Sequence, residues 1–238
     1  RLSIGMKPEG GGYPTKLDHF RFIRKSGYKQ WVEDVSANET LGGKPASIRV
    51  ILCNDIPEKV LNSQLASFRS ITESDEPSGK SWQRQVLYCY GDGETAYRLK
   101  SRESGERERI ECPNRECPLQ AAKKCKPAAN LYFQVPEIGG GMVELITSSW
   151  NSIGAIEDKL EEISGITGGI LAGIPVTLTL KADVARPQGA QVTIFVVDIE
   201  YDIREVMAAA VQMKDLRSLS ATHGRHAASA PSIDEWTD

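Results

Sequence analysis

The chain has 238 residues, of which 40% are hydrophobic and 26% are charged, with a formal net charge of −3. These are ordinary values for a globular protein that can bury a full core. No apolar run approaches the roughly 18 residues that a membrane-spanning helix needs, and no secretory signal opens the sequence. We therefore expect a cytoplasmic protein with no membrane partner.

Charge is distributed unevenly along the chain. Residues 1–127 carry 22 Lys and Arg against 17 Asp and Glu, whereas residues 128–238 carry 7 against 15. A basic half can contact phosphates, while an acidic half repels them or contacts a basic partner. Charged side chains on solvated faces would give the same asymmetry, so composition alone leaves both interpretations open.

Residues 1–45 are rich in Gly, Pro and Lys and are predicted to form a loosely ordered N-terminal arm. Within the arm, DHFRFIRKSG places aromatic residues between basic ones. Phe20, Phe22 and Tyr28 could stack on bases while the neighbouring cations contact phosphates. Alternatively, Phe20 and Phe22 alternate as the inward face of an edge strand.

Residues 46–219 have the periodicity of an α+β domain with an antiparallel sheet and two packed helices. SIRVILC predicts a strand that ends at Cys53, which we expect to be a small buried hydrophobe. PEKVLNSQLASF is predicted to be helical because Val60, Leu61 and Leu65 have helical spacing. After a turn in TESDEPSGKS, the segment SWQRQVLYCYG is predicted to be a strand.

Two hairpins are predicted in the second half of the chain. NLYFQV and MVELITSS should pair around the glycine cluster 139–141, and IPVTLTLKADV should pair with AQVTIFVVDIEYD around ARPQG. Both faces of the second hairpin are largely apolar, which predicts a central place in the sheet.

The segment between these hairpins predicts an amphipathic helix capped by Ser148 or Ser149. Its core face is predicted to consist of Trp150, Ile153, Ile156, Leu160 and Ile163. A final helix is predicted over 203–219, with a buried stripe of Val206, Ala210, Met213 and Leu216. Residues 220–238 are small and polar and are predicted to form a flexible C-terminal tail.

Four cysteines are the residues that most resemble a chemical site, with the spacing Cys89-x22-Cys112-x4-Cys117-x7-Cys125. Four thiolates suit one tetrahedral Zn²⁺, and a site filled by protein ligands has no open position for a catalytic water. We predict a structural zinc site in a loop spanning 86–127, where metal binding would contribute folding energy. Reduced or buried thiols, a redox pair and an iron–sulfur site remain alternatives.

Other patterns give weaker indications of chemistry. The three histidines, His19, His223 and His226, fall in the predicted arm and tail, so no catalytic residue is assigned. Asp198, Glu200 and Asp202 share one strand face, where they could bind Mg²⁺ or face water. The run 98–126 holds nine Lys and Arg against five Glu, which is a weak nucleic-acid footprint and fits protein contact at least as well.

Several short segments together resemble a family of bacteriophage and prophage proteins. They are C-x-G-x-G-E from Cys89, I-x-C-P-x-x-x-C from Ile110, C-K-P from Cys125, TSSWNSI from Thr147 and GILAGIPVTLTL from Gly169. The family includes recombination directionality factors that partner large serine integrases, and other members are labelled hydrolase or metal-binding protein. The likeness covers about two-thirds of the chain, residues 46–202.

The resemblance implies a phage- or prophage-encoded protein that works in a bacterial host. It would bind a large serine integrase on attachment-site DNA and favour excision over integration. The family's cysteine pattern transfers onto Cys89, Cys112, Cys117 and Cys125, and no catalytic residue transfers. The alternative functions are a phage single-stranded-DNA-binding or replication accessory protein and, third, a metal-dependent hydrolase.

Overall fold

The computed structural model describes residues 1–6, 15–27, 30–75, 79–101, 103–113, 116–139, 141–186 and 191–227. Within these residues the strands are β1 Leu2–Met6, β2 Thr15–Ser26, β3 Gln30–Glu33, β4 Ser47–Leu52, β5 Leu61–Asp75, β6 Lys80–Gly91, β7 Thr95–Leu99, β8 Arg107–Glu111, β9 Cys125–Gln134, β10 Val143–Thr147, β11 Pro175–Ala185 and β12 Val192–Glu200. The helices are α1 Val35–Thr40, α2 Pro57–Val60, α3 Pro118–Ala121, α4 Trp150–Thr167 and α5 Ile203–Ala227.

All the described strands belong to one twisted sheet whose main order is β3-β2-β1-β10-β9-β5-β6-β7-β8. A branch leaves this path where β4 pairs with β9 and β11, and β11 pairs with β12. The pairs are antiparallel except β1 with β10, which run parallel with Leu2 opposite Leu145. The α+β class is therefore confirmed. The sheet is mixed and not purely antiparallel, because β1 pairs in parallel with β10, a strand far along the chain.

The N-terminal region is part of the sheet, so the prediction of a loosely ordered arm is wrong for its described residues. Phe20 and Phe22 are buried in the hydrophobic core, which confirms the alternative of an inward strand face. Asn38 of α1 fixes this strand, because its side chain accepts from the Phe22 N–H at 2.7 Å and donates to the Phe22 carbonyl at 3.3 Å. Tyr28 lies outside the described residues.

The predicted helix after Asp55 is wrong beyond its first turn. α2 ends at Val60, and the chain then enters the long strand β5. Leu61 and Leu65 are four residues apart, a spacing that places side chains on one face of a strand as well as of a helix. The segment forms a strand because it pairs with both β6 and β9, so that backbone N–H and C=O groups in the inner part of β5 have hydrogen-bond partners on both sides.

The outer part of β5 leaves the body of the sheet. β9 pairs with β5 only as far as Ser67, whereas β6 pairs with it to Asp75. Residues 68–75 and 80–87 therefore form a projecting two-stranded ribbon, which we call the hairpin arm. A register shift after Ser67 marks its base. Glu73 holds it across the strands, accepting from the Arg84 guanidinium at 3.2 Å and from the Trp82 indole N–H at 3.1 Å.

α4 packs on the core face of the sheet much as the sequence predicts. Ser149 caps its first turn, and Ile153, Ile156, Leu160 and Ile163 are buried. Buried Ser152 fixes α4 to the branch of the sheet, since its hydroxyl accepts from the Val197 N–H at 3.0 Å. Gly168 ends the helix in the left-handed region, with φ of 68°, where glycine carries no steric cost.

α5 is longer and less buried than expected. It runs to Ala227, past the predicted end at residue 219, and residues 228–238 lie outside the described part of the chain. Val206 and Ala210 are buried as predicted, but Leu216 is 50% exposed. Asp55 ties the helix to the body, because its carboxylate accepts from Arg217 at 2.9 Å and from the N–H groups of Leu171 and Ala172 at 3.0 Å.

The hairpin of β11 and β12 forms as predicted, but its position differs. Among the described strands β12 pairs only with β11, so it lies at the end of the branch and not in the centre of the sheet. α4 packs against this strand, which explains its apolar pattern without a second strand neighbour. No helix in the described part of the chain has the length and apolar character needed to cross a membrane.

Candidate metal centre and neighbouring surfaces

Two of the four predicted metal ligands lie in one cross-strand row on the core face of the sheet. Cys125 of β9 stands opposite Ser67 of β5, and Ser67 stands opposite Cys89 of β6. Residues directly opposite one another share a face of the sheet. Arg98 of β7 continues the row beyond Cys89, so a guanidinium lies beside this pair of thiols.

The other two cysteines lie on the loop that follows β8. The Cys112 N–H donates to the Glu94 carbonyl at 2.7 Å, which ties the start of this loop to the turn between β6 and β7. Cys117 is the N-cap residue directly before α3, and its carbonyl accepts from the N–H of Gln120 at 2.9 Å and of Ala121 at 3.0 Å. Both thiols are half-buried.

The four thiols form one electrostatic cluster. Burial, followed by the negative charges of the other three cysteines, raises the pKa of Cys125 to about 11. Burial also raises the pKa of Cys89, as do Cys112 and Cys117, while Arg98 and Arg107 act in the opposite direction. The structure thus brings together the residues that the sequence predicted, next to cations that can compensate a thiolate cluster.

The thiols lie near one another but do not converge on a point. Among the described residues, no three His, Cys, Asp or Glu side chains are placed as ligands of one metal ion. Two cross-strand steps separate Cys89 from Cys125, which puts their Cα atoms about 10 Å apart. Ligation of one ion by both would require their side chains to lean across Ser67. Four thiol groups are suitable ligands for Zn²⁺. To bind one ion, the four cysteine side chains would have to move closer together.

This region has little else to stabilise it. Between Ala96 and Ala129, Pro127 is the one described residue with a buried apolar side chain. A segment that buries so little apolar surface offsets little of the entropy lost on ordering. Such a segment is usually stabilised by a bound metal ion or another cross-link.

Gly91, two residues after Cys89, has no room for a side chain. A Cβ at this position would contact the Thr95 carbonyl oxygen and lie 2.8 Å from the Ala96 Cα. We expect Gly91→Ala to lower the free energy of unfolding by about 3 kcal/mol, because backbone atoms of β7 would have to move. Urea denaturation measures the change.

Gly154 is the matched control for that substitution. It lies within α4, and nothing is within 4 Å of the position of its Cβ. Gly154→Ala should stabilise the protein by roughly 0.5 to 1 kcal/mol, since alanine loses less entropy than glycine in a helix. Equal effects of the two substitutions would contradict the close approach at Gly91.

The remaining chemical candidates have structural partners. Asp198 and Glu200 both contact the Lys181 ammonium, at 2.7 and 3.0 Å, and Asp202 accepts from the N–H groups of Arg204 and Glu205 at the start of α5. These contacts account for the acidic strand face without a magnesium ion. His19 is hydrogen-bonded to Asp18 at 2.7 Å, and the side chains of His223 and His226 are outside the described set.

The sequence prediction missed an exposed aromatic residue. Trp150 was assigned to the core face of α4, but it is 59% exposed at the first turn of that helix. It borders a depression of about 270 Å³ that Asp92 and Glu157 also line. The sequence carries no local signal for this exposure, because Trp150 lies three residues before buried Ile153 and fits the same helical spacing. We call the surface formed by Trp150, Asp92 and Glu157 the Trp150 surface.

A family model described as Gp3-like, recombination directionality factor-like, matches residues 1–202. No curated protein and no solved structure matches the chain. The match ends directly before α5 and includes β1 to β3, which the resemblance noted from the sequence did not cover. The family model spans most of the chain, and the protein belongs to the Gp3-like, recombination directionality factor-like family.

Proposed function

We propose that this protein binds a large serine integrase on attachment-site DNA and favours excision over integration. The observation that carries the proposal is the family match over residues 1–202. The protein would act as a stoichiometric accessory factor and not as a catalyst. By contacting the integrase more favourably in the excisive synaptic arrangement than in the integrative one, it would shift the population toward excision.

The Trp150 surface is the contact that we propose for the integrase. Exposed Trp is the residue type most often found at the energetic centre of a protein interface. Trp150 lies in TSSWNSI, one of the segments that carry the family likeness. Asp92 and Glu157 beside it make the surface acidic, so the complementary integrase surface would be apolar at its centre and basic around it.

We also propose that the cysteine cluster holds one structural Zn²⁺ in the folded protein. Cys89, Cys112, Cys117 and Cys125 would be its ligands, and the ion would cross-link β6, β9 and the loop after β8. Their mutual electrostatic influence supports this assignment. So does the small amount of buried apolar side chain between Ala96 and Ala129, where Pro127 is the one buried apolar residue of the described structure. With four thiolate ligands the ion would supply stability and no catalytic water.

An excision assay tests the proposed function. Purified protein is titrated into the integrase encoded by the same phage, with a DNA substrate that carries the two hybrid attachment sites. We expect excision to rise with added protein and to level off at a fixed ratio to integrase, while integration between the original sites falls. Excision that is unchanged at every ratio would contradict the proposal, and so would a stimulation that never saturates.

A further inference from the structure

The face of the sheet turned away from the core carries a second cross-strand row. Lys126 stands opposite Ala66, Ala66 opposite Tyr90, Tyr90 opposite Tyr97, and Tyr97 opposite Arg109. A cation thus lies at each end of the row with two aromatic rings between them. Four steps between neighbouring strands put the two ends about 19 Å apart.

The two aromatic rings of this row stack on each other, and one of them is accessible. The rings of Tyr90 and Tyr97 stack with centroids 5.5 Å apart and planes 27° from parallel. The Arg107 guanidinium lies 5.1 Å from the centre of the Tyr90 ring. Tyr97 remains 42% exposed, so its ring offers a surface on which a planar group can stack.

A groove adjoins the Lys126 end of the row. It has a volume of about 670 Å³ and is lined by Lys123, Lys124, Lys126, Phe68 and neighbouring uncharged side chains. Phe68 is 53% exposed there. A shallower depression of about 520 Å³ shares Ile146 with this groove and adds Lys16. The described residues that line the two depressions include no carboxylate, so the surface has a single sign of charge.

Lys123 occupies a backbone conformation that favours glycine. It is the one non-glycine residue in the described structure with positive φ, at 54°. Its N–H donates to the Gln120 carbonyl and the next N–H donates to the Leu119 carbonyl, at 2.8 Å each, which is the Schellman ending of a helix. Glycine at this position would avoid a cost of roughly 1 kcal/mol. A strained residue retained beside a groove points to a role for its side chain.

We propose that this outer-face groove, together with the Tyr90–Tyr97 row, binds single-stranded DNA. Lys123, Lys124 and Lys126 would contact phosphates, and Phe68 and Tyr97 would stack on bases. Cations along a concave track with exposed aromatic rings are the features by which proteins hold single strands without sequence preference. A duplex keeps its bases stacked inside and could use only the cations. The groove shares Gln64 and Pro127 with the depression beside Trp150. None of the three residues of the Trp150 surface lines the groove, so substitutions in the two sets of residues test the two proposals separately.

Fluorescence anisotropy of a labelled thymidine oligonucleotide, measured with the full chain over a range of salt concentrations, tests the site. Wild-type protein should bind the oligonucleotide more tightly than a duplex of equal length. Lys123→Gly should weaken binding and reduce the slope of log affinity against log salt by about 0.7, the contribution of one phosphate contact in a single strand. The same substitution should leave the melting temperature unchanged or raise it, because glycine suits the backbone there.

Two further variants separate stacking from charge. Tyr97→Ala should weaken single-strand binding by about tenfold, as expected for one lost base stack, with little change in salt slope. Lys214→Ala on α5 removes an exposed lysine far from the groove in sequence and should change neither quantity. Absence of salt-dependent binding would overturn the proposal. Duplex binding as tight as single-strand binding, or a Tyr97→Ala affinity equal to wild type, would overturn it as well.

Discussion

Replacement of Cys117 by serine should remove bound zinc and destabilise the region between β6 and β9. Structural zinc contributes about 10 to 16 kcal/mol of apparent binding free energy in small zinc domains, and this region buries little apolar surface of its own. We expect about one zinc per chain in wild-type protein and less than half of that in the variant, with a clearly lower melting temperature. Elemental analysis and thermal denaturation with and without a chelator measure the two effects.

Cys53 provides the matched control. It follows β4, it is half-buried, and its thiol lies 3.6 Å from the Ile51 carbonyl. Cys53→Ser should leave the zinc content unchanged. Wild-type protein that contains no zinc as purified from metal-supplemented medium, and that melts at the same temperature with chelator, would show that the cluster consists of reduced thiols.

Replacement of Trp150 by alanine should largely abolish the response of the integrase. Truncation of a central interface aromatic typically costs 2 kcal/mol or more, so the affinity for integrase should fall by about 30-fold or more. Because the side chain is mostly exposed, the variant should keep the melting temperature of wild-type protein. Affinity measured by a pull-down titration, followed by the excision assay at fixed protein concentration, checks both expectations.

Trp31 is the control for that substitution. It lies on β3 at the far edge of the sheet, it is also exposed, and Arg1 and Lys25 lie against its ring. Trp31→Ala should therefore leave excision close to the wild-type level. If the two variants lost the same amount of excision activity, the assignment of the contact to the Trp150 surface would be wrong.

Local patterns in the sequence predicted some elements correctly for identifiable reasons. The two hairpins of β9 with β10 and β11 with β12 pair segments that are close in sequence, and α4 has an apolar stripe long enough to define its period. The four cysteines were identified because thiols are rare and their spacing is visible without a structure. The other three thiols lie close enough to Cys125 to raise its pKa, and their role as metal ligands stays a prediction.

The errors arose where distant parts of the chain decide the outcome. Phe20 and Phe22 are buried because β2 joins a sheet built mostly from later residues, which local glycine content does not reveal. Leu61 and Leu65 fit both the helical and the strand period, and pairing of β5 with β6 and β9 decides for the strand. The row from Lys126 to Arg109 spans five strands, so no local pattern could have predicted it.

The hairpin arm gives β5 two different local stabilities. The inner half of the strand has neighbours on both sides, whereas residues 68–75 pair with β6 alone. Two-stranded ribbons are marginally stable in water, so the outer amides of β5 should exchange with solvent through local opening, while the inner amides wait for a much larger opening. A partner that binds the outer half of β5 can therefore order it without changing the packing of the core. Slower hydrogen exchange of the outer β5 amides in the presence of the partner would reveal that contact.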